Sequence, residues 1–116
     1  MLELALKIMS EEDVANAYEL AKLIDMSDAQ SIIGFGGETF SKISVCYQMV
    51  AVYGFSQDIV AEMRTVLKSL IMLAVACQVR LGETDKRHPS YYLLNSRYES
   101  IKIAILRMNT YLALNS

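Results

Sequence analysis

The sequence predicts an all-α fold, a compact bundle of four to five helices in one domain over residues 1–116. Three observations carry that reading. Apolar residues recur at steps of three and four along most of the chain, and no stretch alternates with period two. Residues that cap helices stand where those runs begin. The last third holds the longest run: Tyr91, Leu94, Tyr98, Ile101, Ile105, Met108 and Leu112 keep a three-four alternation for three heptads. Such stripes are stable only against other helices, so a bundle follows.

In the first region Val14, Ala17, Ala21 and Ile24 share a face, and Ser10 with Asp13 has the spacing of a capping box. Residues 2–9 have helical character too, and whether Ser10 separates them from the next helix stays open. Ser27 and Gln30 repeat the capping pattern ahead of Ile32 and Ile33, and Gly34-Phe35-Gly36-Gly37 then stops the helix. Beyond it, Phe40, Ile43, Tyr47 and Val50 form a stripe while Val45, Met49 and Val52 cover much of the opposite side. A helix apolar nearly all round is central or faces a partner.

Gly54 closes that helix at 38–53. Ser56 opens the next, at 56–81, with Asp58 in its first turn, where negative charge suits the positive end of the helix dipole. Ile59, Met63, Val66, Leu70, Leu73 and Cys77 follow at steps of four and three, with Arg80 in the last turn and Gly82 as the stop. Residues 83–88 form the most polar connection, and Pro89 fits the first turn of the final helix. Ile103 and Leu106 extend that helix's apolar stripe beyond one bundle face, which points to a second packing neighbour.

Composition narrows the function. Apolar residues make up 53% and charged residues 21%, with a net charge of −2, the reverse of a disordered chain and without the basic excess of a nucleic-acid binder. The longest apolar run, Leu70 to Cys77, is far short of the roughly 20 residues a membrane span takes, and reads as a buried core helix. No export signal is visible at the N-terminus, because Glu3 comes early and Lys7 interrupts the apolar residues. A cytoplasmic protein with Cys46 and Cys77 reduced is the expectation.

No catalytic, cofactor or metal site emerges. One histidine, His88, and two cysteines cannot build a structural zinc site or the Glu-x-x-His pairs of a di-iron bundle. The glycine cluster lacks the dinucleotide fingerprint, since Thr39 stands where the third glycine belongs, and it lacks the Lys-Ser order of a phosphate loop. It reads first as an interhelical turn, with Gly34, Gly36 and Gly37 as a candidate ligand turn. Arg80, Lys86 and Arg87 beside His88 form the one basic patch, read as a solvated loop; nucleic acid is not the expected partner.

One segment has a family likeness. Asp25, Asp28, Gln30, the Ile32-Ile33 pair, the Phe35-Gly36 step, and Ile43-Ser44 resemble the early part of the toxic-anion (tellurite) resistance TelA/KlaA family. The likeness covers about residues 24–44, a fifth of the chain. Phe40 stands where the family usually has glutamine, and nothing from Leu73 on is similar. The resemblance implies a helical, non-enzymatic cytoplasmic protein and supplies no catalytic residue.

The functional expectation is a protein that acts by protein–protein contact and self-associates, with Val45, Met49, Val52, Ile103 and Leu106 at the interface. A phage or mobile-element accessory protein that inhibits a host factor is one form of it. The alternative is a TelA-like stress protein that binds a small anion or nucleotide at Gly34–Gly37.

Overall fold

Five consecutive residues, Leu73 to Cys77, are all buried. A helix can bury every side over more than one turn only when neighbours surround it, so the helix that carries them lies at the centre. The computed structural model describes residues 9–115. Within them the chain forms α1 (Glu11–Lys22), α2 (Ala29–Ile33), α3 (Gly37–Tyr53), α4 (Gln57–Gly82) and α5 (Tyr91–Leu114), with no strand among the described residues. The fold is an all-α bundle. The helix expected over residues 2–9 lies, but for Met9, outside the described residues.

Helix α4 packs against α1, α3 and α5, and α2 packs on α5. At 26 residues α4 is about 39 Å long and sets the 46 Å length of the molecule. Its small buried residues, Ala74 and Ala76, let neighbouring axes approach closely, as do Ala17 and Ala21 on α1. Polar contacts pin α1 parallel to α4 at both ends. Lys68 Nζ lies 3.1 Å from Asp13 Oδ2, and Arg80 Nε donates to the Ile24 carbonyl at 3.2 Å. The Lys68 ammonium and the Ser10 hydroxyl together hold the Asp13 carboxyl below its usual range. The core gathers Ile24 and Ile32 with Met63, Val66 and Leu70 of α4 and with Leu94, Ile101, Ile105, Met108 and Leu112 of α5. The three-heptad stripe of α5 is thus the seam against α4.

Local signals set most boundaries. Ser10 and Asp13 form a full capping box, and Ser56 accepts from the Ile59 N–H at 3.2 Å. We expect Ser56→Ala to lower stability by about 1 kcal/mol, the usual cost of an N-cap hydroxyl, as read from the shift in urea midpoint at unchanged slope.

Three boundaries differ from the sequence reading. Asp28, not Ser27, caps α2, because Asp25 Oδ1 captures both the Ser27 hydroxyl (2.6 Å) and its N–H (2.9 Å) in a turn of its own. Gly82 closes α4 without a left-handed backbone, and Glu83 stays right-handed, its N–H reaching back to Val79 and Arg80. Pro89 precedes the helix rather than opening it. Ser90 is the cap residue, and its N–H donates to His88 Nδ1 at 3.1 Å. The apolar helix α3 is also not central. It lies on one side of α4 and leaves one of its faces open.

Candidate functional site

That open face is the strongest site candidate. On α3, Cys46 and Val50 are buried and Ile43 and Tyr47 half-buried, yet Val45 is 52%, Met49 41%, Val52 72% and Tyr53 75% exposed. Glu38, Lys42, Val45, Met49 and Val52 step by four and three, so they form one line along the helix. Beside it, between α3 and the first two turns of α4, runs a groove of about 370 Å³. Val45, Cys46, Met49 and Ile59 make its apolar floor; Glu38, Lys42, Asp58 and Glu62 make its rim.

The rim is acidic on balance. Lys42 lies 3.9 Å from Glu38, so the pair is close to neutral. Asp58 and Glu62, one turn apart on α4, face no cation in any ion pair of the described residues. Burial pushes the Cys46 thiol above its ordinary value, and the nearby Glu62 carboxylate adds to the effect. A thiol held protonated is a poor nucleophile, and what the groove presents is apolar contact and negative charge.

Cys77 is more deeply buried, and loss of hydration raises its thiol from 9.0 to about 12. Between those pH values the unfolded chain sheds a proton that the folded chain keeps, so stability falls as pH rises through that window. Chemical unfolding at rising alkaline pH should show this loss, and Cys77→Ala should reduce its slope. An unchanged slope would mean that the thiol ionises as it does in water.

The glycine turn is built mainly from its own backbone. The N–H groups of Gly34, Phe35 and Gly37 donate to the carbonyls of Gln30, Ile32 and Gly34. Gly36 takes a left-handed backbone, φ 78°, and a side-chain carbon added there would sit 2.7 Å from Leu73 Cδ1. From α5, Arg97 Nε donates to the Phe35 carbonyl at 2.7 Å while its guanidinium lies 4.5 Å from the Phe40 ring centroid. Sequence spacing gave no hint of this link, because 62 residues separate its ends. The turn therefore serves to join α2, α3 and α5.

The basic residues at 80–87 do not act together. Arg80 turns to the Ile24 carbonyl and to Glu83 at 3.5 Å, and Arg87 makes a two-pronged contact with Asp85 at 3.0 and 3.2 Å. Lys86 stays exposed. On α5, Ile103 and Leu106 are 49% and 58% exposed, outside the seam as their spacing indicates. Sequence reasoning singled out Val45, Met49 and Val52, which the structure leaves exposed, but not the rim. Asp58 and Glu62, at i and i+4, share a face in the sequence, but only the packing of α4 beside α3 makes them a rim.

Among the described residues no three His, Cys, Asp or Glu side chains are placed to hold a metal ion, and no helix is long and apolar enough to cross a membrane. No protein-family model, curated protein or solved structure matches the chain. Within the TelA-like string, several matched residues have plain structural tasks. Asp25 and Asp28 organise turns, Ile32 fills the core, and Gly36 supplies the positive φ.

Proposed function

We propose that the protein acts by protein–protein contact and binds a second copy of itself through the outer face of α3, in the cytoplasm, where thiols such as Cys46 and Cys77 persist reduced. One observation carries this reading. A helix packed on one side presents Val45, Met49, Val52 and Tyr53 to solvent as a continuous apolar line beside a groove. Isolated apolar residues on a surface are ordinary; a contiguous line along a groove is characteristic of an interface. Blocking a host protein, as an accessory factor of a phage or mobile element, is one setting for such a surface. The TelA-like alternative, a small anion or nucleotide at Gly34–Gly37, has less support, because three N–H groups of that turn and Arg97 Nε already have acceptors.

Light scattering coupled to gel filtration tests the proposal. The apparent molar mass should rise above that of the monomer as concentration increases through the micromolar range. A monomer at every concentration overturns it.

A further inference from the structure

Resting on self-association, we propose which surfaces meet: the acidic-rimmed groove between α3 and α4 of one copy receives the outer strip of α5 from another. Helix geometry places Ile103, Leu106 and Leu114 on the side of α5 away from its seam with α4. They are exposed, and a shallow apolar depression runs between Leu106 and Leu114. Lys102 and Arg107 flank the strip on opposite sides. Lys102 is already engaged, its Nζ lying 2.9 Å from Glu99 and 4.6 Å from the Tyr98 ring centroid. Arg107, exposed and in no ion pair among the described residues, is the charge left to meet a partner.

The two surfaces are complementary in both respects. The groove has an apolar floor of Val45, Met49 and Ile59 and two carboxylates, Asp58 and Glu62, that enter no ion pair among the described residues. The strip has a matching row of apolar side chains and a cation at its edge. A rod-like helix face fits a groove that lies between two helices. A second copy fitted groove to groove would instead set Asp58 and Glu62 of both chains near each other, which like charge disfavours. The contact is therefore head-to-tail. Each subunit keeps one groove and one strip open for the next, so assembly continues to a closed ring or a chain.

Charge reversal tests the pairing. Arg107→Glu and Glu62→Lys should each weaken association about tenfold or more, with helicity and melting temperature unchanged. A chain carrying both reversals restores the opposite pairing and should recover most of the association. Mixing the two single variants pairs the normal groove of the Arg107→Glu chain with the normal strip of the Glu62→Lys chain. The reversed strip of the first chain also meets the reversed groove of the second, so the mixture should assemble into oligomers of 1:1 composition at concentrations where each alone is monomeric. Association that survives both single reversals overturns this pairing while leaving self-association standing; reversals that weaken it without recovery in the double variant do the same. A wild-type protein that never associates overturns the pairing and the self-association it rests on.

Discussion

Leu70→Ala should cost about 2–5 kcal/mol and lower the melting temperature by roughly 10–15 °C, as read by thermal unfolding followed by circular dichroism. Leu70 lies at the middle of α4, fully buried, in the helix on which α1, α3 and α5 all pack. Truncation removes three carbons from a site that its neighbours cannot refill without moving three packed helices. A domain of this size has about 5–15 kcal/mol of stability in total, so the loss is a large fraction of it. Leu67, half-buried one turn earlier, should lose clearly less on the same change. Equal losses at the two positions would contradict the central place given to Leu70.

Gly36→Ala should be the most damaging exchange among the glycines, at about 2–3 kcal/mol. A left-handed backbone alone costs an L-residue roughly 1–2 kcal/mol, and the new methyl group would sit 2.7 Å from Leu73 Cδ1 and displace a buried side chain. Gly37, the next residue, gives the contrast. It is the first residue of α3 with open space around it. Gly37→Ala there should be neutral or stabilise by up to about 1 kcal/mol, because alanine loses less entropy on entering a helix. Urea unfolding of the pair measures both, and a neutral result at Gly36 would refute the strain assigned to it.

How much of this was legible in the sequence depended on the range of the interaction concerned. The Ser10–Asp13 box, the Ser56 cap, the Gly54 stop and the α5 seam all depend on residues within a few positions of one another, and the structure has each of them. The Leu70–Cys77 run was legible as core because nothing else suits eight apolar residues between Lys68 and Arg80. Ser27 misled because two local patterns competed, and the tighter turn to Asp25 prevailed. Pro89 misled by two residues, since His88 supplies an acceptor for the Ser90 N–H just ahead of the helix, which begins at Tyr91.

Neighbour relations were the unreadable part. Apolar residues all round α3 fit equally a central helix and one with an uncovered face, and only the packing of α4 decides between them. The same holds for the candidate site. Val45, Met49 and Val52 could be picked from α3 alone, while the acidic rim needs α4 brought alongside. Arg97 with Phe35 and Phe40 is likewise a contact that only the fold creates.

Sedimentation equilibrium of the wild-type protein beside Val45→Asp tests the central claim most directly, since it asks whether the open face of α3 is a contact surface. Val45 is half exposed, so aspartate should leave the monomer fold and its melting temperature nearly unchanged while it places a charge on the apolar line. The wild type should show a molar mass that climbs with concentration, and the variant should remain a monomer. A wild type that stays monomeric from low to high micromolar concentration, or a variant that associates as well as the wild type, would contradict that role for the face.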